Sequence, residues 1–351
     1  MPCSNPIFKD LVAQAAPDGS YLYVVNPELA PTLSGLYNSQ ISWSLETEDA
    51  AAGKVNRMAI GKDTEVQHTL QVGDFFLANG TLLPKDAEAA TVAAAPVIGV
   101  VYQIDPNRIG EADKKALGGV AHGQVISTWQ LTPTSQDSPL QWSTYGGGSR
   151  DESSIGLKPI PDPTADLATN VRLANNAIDG YYYTTQILTE RAFDVERGMY
   201  PLFTQVAQFG TLTGGPQVRC TTGWYLPAIG QWFDVIRNLT QYDLALDSNE
   251  LVDYGGGGFY WSNKERYDVP AALNRAMEKV ADMDKTLYNT QSASPFATSS
   301  IMADNASHCL MLSSPFSYEG EDGSTQYAET RINILAGAKN SLYNSRLVLT
   351  F

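Results

Sequence analysis

Apolar positions along this chain follow two rhythms. Ile229, Trp232, Phe233, Ile236 and Leu239 recur at helical spacing, and Pro227 stands where a first helical turn tolerates it. Leu202, Val206 and Phe209 share one helical face, with Gly210 placed to end that helix. Leu273, Ala276, Met277 and Val280 repeat the spacing. These stripes predict three core-facing helices. Strand rhythm covers much of the rest. Asp74 to Leu77 and Thr81 to Leu83 flank Asn79-Gly80, a pair suited to a tight hairpin because both residues tolerate positive φ. Val97 to Tyr102 is a nearly continuous apolar run and reads as a buried strand. Gly123 to Leu131, with Trp129, reads as another, and Trp142 follows it. Leu310 to Leu312 and Arg331 to Leu335 return to strands late in the chain. In Arg346 to Phe351 the side chains of Leu347, Leu349 and Phe351 share one face, so a strand ends on the final residue given.

The intervening segments are polar or small. Lys85 to Ala95 is Ala-rich and reads as a connection. Gly146 to Pro163 reads as a long loop, and Gly255 to Gly258 as a flexible one. Tyr181-Tyr182-Tyr183 read as a strand places its outer pair on one face, inward. Residues 1–66 form a separate small β-rich unit or spacer, with strands at 20–25 and 40–45 and an acidic loop from Glu46 to Lys54. Residues 67–351 make the main domain.

Composition narrows the partners. Of 351 residues, 43% are hydrophobic, enough for a substantial core, and 17% are charged, so Asn, Ser, Thr, Gln and Gly supply much of the polar surface. A formal net charge of −15 repels phosphate backbones and anionic membranes alike, which excludes nucleic acid as an expected partner. No apolar run approaches the roughly 18 residues of a membrane span. The three cysteines, Cys3, Cys220 and Cys309, show no metal-site spacing. Cys220 and Cys309 either pair or stand as isolated buried thiols, and Cys3 is either a lipid-attachment residue or incidental. His68, His122 and His308 lie far apart without a zinc signature, and no GxSxG elbow is present. Neither a catalytic residue, a metal nor a cofactor is expected.

One segment stands out: Gly223-Trp224-Tyr225-Leu226-Pro227-Ala228-Ile229-Gly230-Gln231-Trp232, a short aromatic strand feeding a helix. It follows, in order, Val72 to Phe76 with Asn79-Gly80-Thr81, Pro96 to Tyr102, His122 to Ile126, Gln141-Trp142-Ser143, and Asp179-Gly180-Tyr181 with Thr184-Thr185; Arg346 to Phe351 comes last. This succession, over roughly residues 67–351, resembles the C-type-lectin-like domains of surface and fimbrial-type proteins of gut anaerobic bacteria. It is also similar to the lectin-fold variable proteins diversified by retroelements, some of them carried by phages. The resemblance implies an α+β fold with two main helices, mixed antiparallel sheets and long loops. It implies first and last strands that pair, Trp224 and Trp232 as structural residues, and a ligand face built from the C-terminal third. The calcium-dependent lectins carry a Trp-Asn-Asp triplet. Here Trp261-Ser262-Asn263-Lys264 stands nearest, and Lys264 puts a cation where a hard metal wants a carboxylate. Metal-independent binding is therefore expected. Phe296 to Ser300 likewise replaces a Trp-Ser-Ser stretch.

Candidate ligand-binding residues are Tyr260, Trp261, Asn263, Tyr318, Tyr327, Asn340, Tyr343 and Asn344, since Tyr and Asn combine rigid amphipathic area with adaptable hydrogen bonds. Trp261 reads equally as core, whereas Tyr343 and Asn344 lean to the surface. The leading reading is an adhesin-like protein, extracellular, at a cell surface or on a virion, that recognises a host or bacterial surface glycan or protein. One alternative is a structural subunit of a fimbria or phage tail fibre, with homo-oligomer or fibre assembly through residues 1–66. Another is a formylglycine-generating-type enzyme using Cys220 or Cys309.

Overall fold

The computed structural model describes residues 69–131, 140–145, 150–160, 162, 164–212, 221–240, 242–246, 250–255, 257–263, 267–281, 295–312, 317–319, 324–327 and 330–351. It also gives the backbone of four earlier strands, β1 (Val12–Ala15), β2 (Tyr21–Val24), β3 (Trp43–Asp49) and β4 (Lys54–Ile60). These pair antiparallel as β1–β2 and β3–β4. The acidic segment expected to be a loop from Glu46 is therefore largely strand. The register sets Glu46 opposite Arg57 and Asp49 opposite Lys54.

The main body is mixed α+β, with every strand-to-strand pairing among the described residues antiparallel. Its strands are β5 (Phe75–Leu77), β6 (Leu82–Leu83), β7 (Val97–Gln103), β8 (Gln124–Gln130), β9 (Leu140–Gln141), β10 (Trp224–Tyr225), β11 (Leu251–Gly255), β12 (Gly258–Asn263), β13 (Phe296–Ala303), β14 (Ala306–Leu312), β15 (Ser317–Glu319), β16 (Thr325–Tyr327), β17 (Thr330–Ala338), β18 (Leu342–Tyr343) and β19 (Arg346–Thr350). Its helices are α1 (Ala89–Ala94), α2 (Glu111–Ala116), α3 (Leu167–Asn176), α4 (Gly180–Glu190), α5 (Ala192–Glu196), α6 (Pro201–Leu212), α7 (Ile229–Thr240) and α8 (Val269–Arg275).

One sheet runs β10-β19-β8-β7-β5-β6, a second runs β11-β12-β17-β14-β13. The Asn79-Gly80 turn is as expected: Gly80 has φ +83°, and the Asn79 side chain accepts from the Thr81 N–H at 3.0 Å. The last strand does not pair with the first. β19 lies between β8 and β10, while β5 pairs with β6 and β7. The rings of Phe76, on β5, and Phe351, just past β19, nevertheless pack with centroids 4.9 Å apart. All of β19 is buried, not one face of it: Val348 packs into the main core, and Leu347, Leu349 and Phe351 into clusters on the other side. A central strand covered on both faces loses the amphipathic distinction.

Helical content exceeds the two main helices the resemblance implies: α3, α4, α6 and α7 each span ten residues or more. Tyr181-Tyr182-Tyr183 falls in α4, and only Tyr183 is buried there. A three-residue aromatic run carries no period of its own, and the surrounding turn decides its state. α1 occupies the Ala-rich connection, as the high helix propensity of alanine favours. Gly210 lies inside α6 rather than ending it. The Gly255–Gly258 segment closes the β11–β12 hairpin, with Gly255 at φ +83° and Gly257 at +85°, values that glycine adopts without strain.

The Trp-rich segment joins the sheets. Trp232 is fully buried in α7; its indole donates to the Ala297 carbonyl at 3.2 Å and its ring packs on Phe296. Trp224, half-buried in β10, meets Phe209 edge-on at 5.4 Å. Gly180 lets the start of α4 press on the chain before α7: a β-carbon there would stand 2.3 Å from Gln231 Oε1 and 2.8 Å from the Ala228 nitrogen.

Candidate ligand-binding face

The second sheet has one side against α7 and one facing away from it. Alternation sorts the side chains. Phe259 and Trp261 of β12 and Ile332 and Ile334 of β17 point to the core. Trp261 is 1% exposed; its ring meets Phe233 of α7 edge-on at 5.3 Å, and its indole donates to the Ala245 carbonyl at 2.9 Å. Trp261 thus belongs to the core. Burying it turns Tyr260 to the opposite face, since strand side chains alternate.

Tyr260 is half-buried there, beneath the guanidinium of Arg331, whose carbon lies 4.5 Å from the ring centroid. Tyr254 of β11 stands edge-on to Tyr260 at 6.2 Å and is 60% exposed. Tyr254, Tyr260 and Arg331 form a short aromatic–cationic strip across three strands. Such a strip offers a rigid ring surface and guanidinium donors to a flat, polar-edged ligand.

The other expected site residues are distributed differently. Tyr343 and Asn344, expected at the surface, are buried at 1% and 8% exposure. The Tyr343 hydroxyl donates to the Ala338 carbonyl at 2.5 Å, and the Asn344 side-chain oxygen accepts from Gln130 Nε2 at 2.9 Å. The turn before them is pinned from below. Lys339 is fully buried, donates through Nζ to the Asp304 carbonyl at 2.8 Å, and lies 4.7 Å over the Trp142 ring. Burial lowers its ammonium to about 8, against the opposing charges of Glu152 and Asp304. Asn340 is exposed, and its carbonyl accepts from Gln141 Nε2 at 2.6 Å. Asn263 ends β12 opposite Thr330; Tyr318 and Tyr327 lie in the β15–β16 hairpin. Their side chains lie outside the described residues. The sequence reading missed Tyr254 and Arg331. Their signal was strand alternation with Tyr260, which needs the β11–β12–β17 register to be seen.

The cysteines and histidines lie away from this strip or outside the described residues. Burial pushes the Cys309 thiol up to about 12, and its Sγ donates to the Leu335 carbonyl. A thiolate nucleophile needs the reverse shift. Cys309 is a free thiol, while Cys3, Cys220 and His68 lie outside the described residues. His122 is exposed and His308 fully buried. Among the described residues, no group of three or more His, Cys, Asp or Glu side chains converges as a metal site, and no helix is long and apolar enough to cross a membrane.

No protein-family model matches the chain, and no curated protein matches it. Among solved structures it is similar to a fimbrial protein from Bacteroides ovatus ATCC 8483, at 16% identity and a TM-score of 0.46. The match covers 86% of this chain and 56% of that one, so this chain spans little more than half of its structural neighbour.

Proposed function

We propose that this protein is a surface-displayed, adhesin-like binding protein of the C-type-lectin-like kind, which holds a glycan or a protein loop on the Tyr254–Tyr260–Arg331 strip without a metal. The observation that carries this reading is Tyr254: a large aromatic side chain, 60% exposed, on a strand held rigid by its hairpin partner. Exposed aromatic area presented by a fixed scaffold is what a binding face requires. The guanidinium beside Tyr260 supports metal-free recognition, because a cation on the face disfavours a second, hard one. The protonated Cys309 thiol argues against the formylglycine-generating alternative at that residue. A glycan array and cell-surface binding, run with wild type and Tyr254→Ala in chelator, test the proposal. Binding that survives chelator and fails in the variant supports it. Absence of binding by wild type in both assays removes it.

One observation favours a second reading, a structural subunit of a fimbria or fibre. β11 is an edge of its sheet, and among the described residues no strand pairs with its outer side. Open edges template association with another chain. Light scattering on the full chain distinguishes the readings: a monomer at every concentration removes assembly through this edge and leaves the binding face untouched.

A further inference from the structure

The two ends of the Tyr254–Tyr260–Arg331 strip differ in chemistry. The outer end, on the edge strand β11, carries Val252 and the 60% exposed ring of Tyr254. The inner end, on β17, carries Asn333 and Arg331. Tyr260 lies between them, its ring centroid 6.2 Å from that of Tyr254 and 4.5 Å from the Arg331 guanidinium carbon. Neighbouring strands stand about 4.8 Å apart, so the three span about 10 Å. That is the reach of one sugar ring and a charged substituent.

Tyr260 serves Arg331 as a seat. A guanidinium resting on a ring is contacted through its flat face, and its five N–H donors lie in the plane and project from its edge. The seat also restrains a long side chain, so less rotamer freedom is lost when the fork engages a ligand. Asp253, next to Tyr254 in sequence, does not offset this cation. It pairs with the core-facing Phe259 and so belongs to the opposite face, and its Oδ1 accepts from the Gly255 N–H at 2.8 Å. The chain as a whole carries −15, but at physiological salt such a field is screened beyond about 8 Å. The local cation therefore sets what an anion meets at the strip.

Area decides between ligand classes. Three side chains offer far less than the roughly 800 Å² that each partner buries in a stable protein interface. An exposed ring with a cation close by suits a small ligand that has one apolar face and one anionic group. We propose that the strip, taken as the binding face inferred above, is specific for an acidic saccharide, a sugar whose C–H face stacks on Tyr254 and whose carboxylate is held by Arg331. A planar carboxylate matches the guanidinium through two parallel N–H···O bonds. The tyrosine supplies contact area for any sugar; the arginine selects the charged one.

The full chain, in chelator, is applied to an array of neutral, carboxylated and sulfated glycans, and each carboxylated hit is measured again as its methyl ester. Wild type should bind carboxylated glycans, lose at least about tenfold in affinity on esterification, and bind more weakly as NaCl rises from about 50 to 500 mM. Tyr254→Ala should weaken every hit. Arg331→Met, which keeps an unbranched stem over Tyr260, should abolish the preference for acid over ester. Arg331→Lys, which keeps the charge without the fork, should retain that preference only in part. Esterification alters the ligand alone, so its result stands even if a variant fails to fold. Neutral glycans bound as tightly as acidic ones, and lost in Tyr254→Ala, would overturn the acid assignment and leave the binding face standing. Sulfated glycans bound as tightly as carboxylated ones would overturn the carboxylate. Cell-surface binding with no glycan hit would make the ligand a protein and overturn the saccharide. Hits indifferent to both Tyr254→Ala and Arg331→Met would remove the face and its specificity together.

Discussion

His308 sits in the middle of β14, on the same strand face as Leu310 and Leu312, fully buried. Among the described residues neither ring nitrogen completes a hydrogen bond. Burial lowers its pKa from 6.5 to about 4; the nearby Ile160 backbone opposes this only in part. The folded protein thus takes up this proton later than the unfolded chain does. Between pH 6.5 and about 4 the unfolded state holds more protons, so stability falls as pH falls through that window and is undiminished above it. At 1.36 kcal/mol per unit, the loss approaches about 3 kcal/mol at the acid end. Urea unfolding of wild type and His308→Leu at about pH 7.5 and 4.5, followed by tryptophan fluorescence, isolates this contribution. Titrations common to both proteins cancel. Wild type should lose about 2–3 kcal/mol more than the variant between the two conditions. At the higher pH the variant should unfold within about 1.5 kcal/mol of wild type, since leucine nearly conserves the volume and removes two unpaired polar atoms. Equal acid losses in the two proteins would refute the argument.

Three further outcomes follow from the packing. Trp232→Ala should cost about 3–5 kcal/mol in urea unfolding, because it empties a fully buried site and strands the Ala297 carbonyl; a cost under about 1 kcal/mol would contradict its role at the sheet junction. Gly180→Ala should lower stability by about 3 kcal/mol, as the added methyl meets backbone atoms of Leu226 and Ala228 at 2.8 Å; an unchanged unfolding midpoint would refute that contact. Arg108→Met removes a guanidinium that donates to both Asp234 oxygens and to the Asn175 carbonyl. Asp234, only 4% exposed, is then left with the neutral Gln103 side chain and the more distant Arg237, and unfolding should show a cost of about 3 kcal/mol that Asp234→Asn partly restores in the double variant.

The sequence was most readable where burial imposes a period. α7 could be read because Ile229, Trp232, Phe233 and Ile236 must all reach one core, and β7 because both its faces are covered. It was least readable where a residue's environment comes from a distant segment. Tyr343 sits among Asn340, Ser341 and Asn344 and looks superficial by composition. Its hydroxyl is satisfied by a carbonyl five residues back, and its ring fills a cluster with Ile301 and Cys309 from the neighbouring strands. Arg331 and Tyr254 looked unremarkable because their meeting with Tyr260 depends on the pairing of three strands. Asp113 gave no sign at all, since its partners lie on β8, β10 and β19.

The Trp-rich segment and the candidate face are linked by one geometrical constraint. α7 presents Phe233 to the second sheet, and Phe259 and Trp261 close on it edge-on at 6.4 and 5.3 Å. With those two side chains committed inward, the residue between them has no choice: Tyr260 must face outward, and the register then brings Val252 and Asn333 beside it and Tyr254 and Arg331 diagonally across. A one-residue slip of β12 would expose two large apolar rings and bury the tyrosine. At roughly 25 cal/mol per Å² of apolar surface, rings that each bury about 150–250 Å² make that slip cost several kcal/mol. The scaffold therefore fixes the orientation of the face without contributing an atom to it. Substitutions on the strip should change recognition while leaving the fold intact, whereas substitutions beneath it should disturb both.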